Sequence, residues 1–427
     1  MPDLPLSSSA PAALSPVRRL LLAKALRGFG DGFVSLLLPL HLLHLGLAPL
    51  QVGLIATTTL LGSGLLTLLV GAHAGRWPVR TLLLGATVLM AGTGAALVSV
   101  SSFWPLLLVA LVGTINPSGG DVSVFLPLEH ALLADSVAHR ARTAAFARYS
   151  LVGTLSAAFG ALAAGLPALL AQAGHLALPR AMQAMFVLYA VLAVAAGWVY
   201  RGLPRQAPMA ADEAPSALGP SRRPVLILAA LFSLDAFGGG FVVQSLLALW
   251  LFQRFGLSLQ AAGAIFFWSG VLTALSYLVA VRIAARIGLV RTMVATHLPS
   301  SLCLIAMPFC PNLAWAIALL LVRSALSQMD VPTRSSYVMA IVTPAERPAA
   351  ASVTSVPRSL AAAASPALAG WLLGLSPFGW PLVLGGVLKI VYDLLLLATF
   401  HRLRPPEEQP SPSPCRRGSR PQPASRD

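Results

Sequence analysis

Charge is scarce in this sequence. Charged residues make up 10% of 427, hydrophobic residues 57%, and the mean hydropathy is +0.79. A soluble domain of this size is about a quarter charged, so the composition excludes a soluble enzyme and leaves a polytopic membrane protein. Cysteine is nearly absent: Cys303, Cys310 and Cys415 form no CxxC and no paired framework. No His/Cys/Asp cluster has metal spacing, and neither metal nor cofactor is expected. A Walker motif is missing, which argues against ATP drive. Paired His or Ser/Lys at one depth, which a membrane enzyme would need, are missing as well. Lysine is confined to Lys24 and Lys389; that arginine bias fits a GC-rich bacterial genome. The formal charge of +15 sits in short gaps between apolar runs, with no basic patch interleaved with aromatics. That is a topology signal, and no nucleic-acid partner is expected.

What is there is apolar and periodic. Runs near 20–44, 49–71, 81–101, 104–130, 147–170, 182–200, 224–252, 258–281, 291–309, 312–334, 356–375 and 381–401 are each long enough to cross a hydrocarbon core of about 30 Å. The organisation expected is a disordered tail at 1–17, a six-helix bundle at 18–200, a polar linker at 201–223, a second bundle at 224–402 and a disordered basic tail at 403–427. With the N-terminus inside, only Arg180 and Arg254 of the 29 basic residues fall in outer loops; with Arg148, Arg291, Arg334 and Arg358 counted as cytoplasmic span ends, only Lys24, Arg27, Arg323 and Lys389 fall within spans. Both termini are therefore expected in the cytoplasm of a bacterial inner membrane. Trp104, Trp250, Trp315 and Trp380 read as an outer interfacial belt, and His41 and His44 as interfacial residues.

The two halves repeat. Phe29-Gly30-Asp31-Gly32-Phe33 returns as Phe237-Gly238-Gly239-Gly240-Phe241, with Asp235 standing where Arg27 stands. The loop after span two, Gly71 to Arg80, answers Val281 to Arg291 after span eight, and Arg142 answers Arg347. Charges sort by span as well: Arg27 and Asp31 in one, Asp121 and Glu129 in four, Asp235 in seven, Arg323 and Asp330 in ten. The first helix of each three-helix unit is the charged one. A charge at bilayer depth costs about 2.5–3.5 kcal/mol on insertion scales, so these residues mark a pathway or a relay. Lys389 and Asp393 in span twelve stand four apart and read as a mutually neutralising pair. In span four, Asn116-Pro117-Ser118-Gly119-Gly120-Asp121 reads either as an interrupted helix beside a cavity or as close packing on small residues.

The loop after span two resembles the signature of the major facilitator superfamily. It keeps Gly71, Arg76 and Arg80, with Gly75 at the usual acid and Pro78 at the second glycine; the second copy keeps Arg286 and Gly288, with Ala285 at the acid. Span eleven, with Ala361, Ser365, Pro366, Ala369 and Gly370, resembles a signature that drug/proton antiporters carry in span five. The resemblance implies an all-α fold of twelve transmembrane helices in two pseudo-symmetric six-helix bundles, with spans one, four, seven and ten lining a central site. It also implies alternating access in a secondary active transporter. The partners implied are a small-molecule substrate, protons and the lipid bilayer, with the chain a monomer. Arg27, Asp31, Asn116, Asp121, Asp235, Gln244 and Arg323 are the expected pathway residues. Arg76, Arg80, Glu129, Arg142, Arg286, Asp330, Arg334 and Arg347 are the expected cytoplasmic gate. Asp121 and Asp235, without a cation within four positions, are the titrating candidates. Proton-coupled export of a small organic molecule is the first reading. Uptake of a polar or anionic solute bound by Arg27 and Arg323 is the second, and a transport-dead sensor or scaffold the third.

Overall fold

The computed structural model describes residues 14–73, 77–116, 123–138, 142–174, 176–204, 219, 221–330, 334, 337–338, 341–343 and 346–400. Arg76, Asp121, most of the linker and the C-terminal tail lie outside them. Within them the chain is helical. Spans one to three are α1 (Pro16–His44), α2 (Pro49–His73) and α3 (Val79–Ser99); span four is α4 (Phe103–Val112) and α5 (Phe125–Asp135). Span five is α6 (Arg142–Ala163) with α7 (Leu166–Gln172), and span six is α8 (Leu178–Arg201). Span seven is α9 (Arg222–Gly240) and α10 (Gln244–Phe255). Spans eight to ten are α11 (Leu259–Ile287), α12 (Leu289–Ala306) and α13 (Leu313–Leu326); α14 (Arg347–Leu375) and α15 (Trp380–Phe400) complete the set.

Local chemistry explains the ends. Ser15 accepts a hydrogen bond from the Arg18 amide, with Pro16 next, so α1 starts several residues before the expected boundary. Its 29 residues make a rod of about 43 Å, longer than the hydrocarbon core. Span four does break: α4 stops at Val112, Gly113 is extended at ψ 173°, and Thr114, Ile115 and Asn116 are non-helical. Span seven breaks too, at 241–243, which the sequence did not announce.

The glycines of the repeated FGxGF words set helix distances. A Cβ at Gly32 would collide with the Ala157 carbonyl, and one at Gly160 with the Phe29 carbonyl, so α1 and α6 touch backbone to backbone. In the second bundle Gly240 lies against Ala362 and Ser365 of α14, and Gly238 against Gly385 of α15. Trp250 departs from the expected belt. It is fully buried, its indole N–H 3.3 Å from the Phe378 carbonyl, whereas Trp104, Trp315 and Trp380 are exposed.

Among the described residues, three seams join the bundles. Gly53 of α2 meets Gly370 of α14, where Thr57 Oγ1 accepts from the Ala367 amide at 3.0 Å. Phe159 of α6 meets Phe267 of α11, ring centroids 5.2 Å apart. Gln244 Nε2 donates to Ser35 Oγ at 2.9 Å. All three lie in the half of the molecule remote from the chain termini. On the terminal side, the end of the linker is tied to the second bundle through Glu346. Thr343 and Ser221 hydroxyls and the Gly219 amide donate to its carboxylate at 2.6–2.8 Å. The Thr343 and Ser221 hydrogen bonds lead in holding this carboxyl down at about 2, so the tie stays ionised at any physiological pH.

The seams make a direct prediction. In a background with all three cysteines replaced by serine, Gly370→Leu should pry α2 from α14. Maleimide labelling of Ser35→Cys from the side remote from the termini should then rise several-fold. Unchanged labelling would show that this face is not held shut at Gly53 and Gly370.

Candidate functional site

A buried arginine in a bilayer must find an anion, and Arg27 finds Glu129. The two are 3% and 0% exposed, and Arg27 Nη2 is paired with Glu129 Oε2. Two tyrosines complete the carboxylate. Tyr149 donates to the same Oε2, and Tyr200 donates to Oε1 at 2.6 Å while accepting from Arg27 Nε at 3.1 Å. The guanidinium lies 4.0 Å from the centroid of Phe125, which stacks on Tyr200. Four helices, α1, α5, α6 and α8, meet at this one pair. Near it, the Tyr189 hydroxyl is 3.5 Å from both Asp31 Oδ1 and the Thr114 carbonyl at the break in span four.

The second bundle holds a larger cluster. Arg334 Nη1 donates to Asp235 Oδ2 at 3.0 Å, and its Nη2 is 3.3 Å from Asp330. Lys389 Nζ donates to Asp235 Oδ1 at 2.7 Å. His297 Nε2 stands 3.6 Å from that same oxygen, and His297 Nδ1 lies 2.9 and 3.0 Å from the two oxygens of Asp393. Asp235, His297, Asp330 and Asp393 are all at most 4% exposed. The two bundles are related with charges exchanged. Arg27 and Asp235 are 208 residues apart, Glu129 and Arg334 are 205 apart, and each pair joins the first helix of its bundle to the fourth.

Several expectations change here. Glu129, expected in the cytoplasmic gate, is buried and paired with Arg27 of α1. Lys389 and Asp393 do not neutralise each other: the lysine serves Asp235 and the aspartate serves His297. His41, near the outer end of α1, is buried against Phe186. Arg80 donates to the Leu203 carbonyl at 3.3 Å within the first bundle, and Arg286 is exposed at the end of α11. Asn116 is buried at the helix break, and the side chains of Arg142 and Arg347 lie outside the described residues. Arg323 is half-buried in α13, and its side chain makes no hydrogen bond or ion pair among the described residues. A sort by formal charge passed over His297, Tyr149 and Tyr200. The available signal was burial: five of the six tyrosines, Tyr149, Tyr189, Tyr200, Tyr337 and Tyr392, are fully enclosed, and a buried phenol needs a partner.

A family model described as Major Facilitator Superfamily matches residues 20–244 and again residues 225–421, nearly the whole chain. The chain belongs to the major facilitator superfamily. It is a multi-pass membrane transporter, not an enzyme. Solved structures agree on the fold of this superfamily. A D-xylose–proton symporter superposes with a TM-score of 0.71 at 15% identity, covering 89% of this chain and 96% of that one. The nucleoside transporter NupG gives 0.68 at 15%, covering 91% and 99%. The human organic anion transporter MFSD10 gives 0.64 at 19%, covering 91% and 100%. In sequence, an uncharacterised membrane protein of Saccharomyces cerevisiae is 25% identical over 411 residues, 88% of this chain and 92% of its own.

The ring of donors around Glu129 is testable by deletion of single oxygens. Removing a partner from a buried charge forfeits about 1.5–3 kcal/mol. Tyr200→Phe should therefore lower thermal stability in detergent by that order, more than Tyr189→Phe, whose contacts are long. Equal, negligible losses would show that Glu129 does not need its phenols.

Proposed function

We propose that the protein is a proton-coupled secondary transporter that exports a small organic molecule by alternating access in a bacterial inner membrane, with both termini cytoplasmic. The bundles at 18–200 and 224–402 rock as two bodies about the linker. The observation that carries the reading is Asp235. It is a deeply buried acid whose partners come from three other spans: Arg334, Lys389 and the imidazole of His297. Such a group can change partners when a proton arrives, and histidine is the side chain whose ordinary range spans neutral pH. In the first bundle, by contrast, Arg27 and Glu129 are closed off by tyrosines and behave as a fixed strut. The seams away from the termini match a state open toward the cytoplasm. A structural neighbour named for proton symport is in keeping with proton coupling. The sequence relative is fungal, so the bacterial placement rests on arginine usage alone.

A second reading, uptake of a small anionic solute, has one observation in its favour. With Arg27 neutralised by Glu129, Arg323 is left as a half-buried cation without a counter-ion among the described residues. A structural neighbour is named as an organic anion transporter.

Reconstituted vesicles loaded with a pH dye separate these. Nucleosides, sugars, organic anions and lipophilic cations are offered in turn against an imposed pH gradient. One class should move protons stoichiometrically, opposite to the substrate for export or together with it for uptake. Asp235→Asn, paired with Lys389→Met to avoid a stranded cation, should abolish that coupling and leave substrate counterflow detectable. Transport driven by sodium, or coupling that survives in the double variant, would overturn proton coupling at Asp235.

A further inference from the structure

Asp235 Oδ1 is claimed by two groups at once. Lys389 Nζ donates to it at 2.7 Å, and His297 Nε2 is 3.6 Å away. Lys389 Nζ and His297 Nε2 are themselves only 3.4 Å apart. The hydrogen-bond inventory fixes how all three can coexist. Asp393, with both oxygens near 3 Å from His297 Nδ1, accepts from an N–H there. A neutral imidazole has one N–H, so Nε2 carries a lone pair, and an ammonium, which has donors only, can point at it. The observed 3.4 Å contact is compatible with a neutral ring. It is incompatible with a protonated one, which would set two cations head to head.

We propose that His297 Nε2 is the proton-binding site of the second bundle, and that loading it transfers Asp235 from Lys389 to His297. The inference rests on the proton-coupled reading and names the group that carries the proton. A proton from the aqueous side adds to the Nε2 lone pair, and no covalent bond breaks. Nε2 turns from acceptor to donor, takes Asp235 Oδ1 and repels Lys389. Span twelve is thereby released from span seven at this point, while Asp393 continues to hold the ring through Nδ1. The gain of one positive charge falls where the charges are already close to balance. From α9 the ring faces Asp235, and span ten brings Asp330 and Arg334 to the other side of that carboxylate. From α15 it faces Lys389, Asp393 and the Tyr392 ring, centroid 5.9 Å away. Arg358 of α14 approaches the Arg334 side of the cluster. α13 brings Arg323 toward Cys303, six residues farther along α12. From α11 come a half-buried Tyr277 and the exposed Arg282 and Arg286.

The test is nitrogen NMR of 15N-histidine-labelled full-length protein in lipid nanodiscs, read from pH 5 to 8.5. His297 is assigned by the resonance lost in His297→Gln, beside proton-flux assays in vesicles. His297 should pass from the Nδ1–H neutral tautomer to imidazolium within this range. Lys389→Gln, which removes the competing cation, should move the midpoint upward by about one pH unit. His297→Gln vesicles should lose substrate-linked proton flux. A ring that stays neutral or stays charged throughout, in protein whose transport does move protons, overturns the assignment and leaves proton coupling standing. So does a midpoint insensitive to Lys389→Gln. A ring that titrates as described in protein that moves no protons overturns the coupling reading and keeps the binding site. If His297→Gln does not fold, the histidine resonance whose midpoint moves in Lys389→Gln identifies the ring beside that lysine and decides alone.

Discussion

A charge buried in a bilayer is costly unless an opposite charge answers it, and among the described residues each half joins its first helix to its fourth by such a pair. Arg27 with Glu129, and Asp235 with Arg334, are the same helix-to-helix contact written with opposite signs. Removing one member of such a pair leaves the other stranded, at a cost of about 3–5 kcal/mol. Each pair therefore fixes the relation of the first to the fourth helix in its bundle. It also fixes what surrounds it: tyrosine donors around the lone carboxylate of Glu129, and a chain of cations, histidine and second acid around Asp235. The two halves share a backbone plan and differ in electrostatic behaviour. One is a single ion pair ringed by tyrosine donors, the other a network in which Arg334, Lys389 and His297 all face Asp235.

The glycines serve the same arrangement. Gly28 and Gly32 let α1 lie against α6, which brings Tyr149 to Glu129, and Gly238 and Gly240 do the corresponding work for α9. Small residues also make the seam between bundles at Gly53 and Gly370. Close packing of this kind is held by van der Waals contact and the Thr57 bond rather than by charge. Such a seam can part without stranding an ion. That division suits a two-body transporter, with strong pairs inside each body and weak seams between them.

Much of the fold was legible because the bilayer restricts what a sequence can do. Twelve apolar runs, a repeat near 208 residues and charges on every third span follow from hydrogen-bond and solvation costs that leave few alternatives. The break in span four was one of two readings that Asn116-Pro117 left open. Partner choice could not. Nothing in periodicity tells whether Arg27 faces Asp235 across the axis or Glu129 within its bundle. In this structure it faces Glu129. His297 escaped because a neutral ring carries no formal charge, and Lys389–Asp393 misled because i,i+4 spacing allows a pair without requiring one. Trp250 looks interfacial by position and is enclosed by the Phe378 loop, a long-range contact that a linear reading does not contain.

Double-mutant cycles on thermal stability in detergent test the pairing most directly. Arg27→Ala with Glu129→Ala, and Asp235→Ala with Arg334→Ala, should each show coupling of about 0.5–3 kcal/mol, and Arg27→Ala with Asp235→Ala should be additive within about 0.5 kcal/mol. Strong coupling between Arg27 and Asp235, with none inside either bundle, would contradict two separately braced halves.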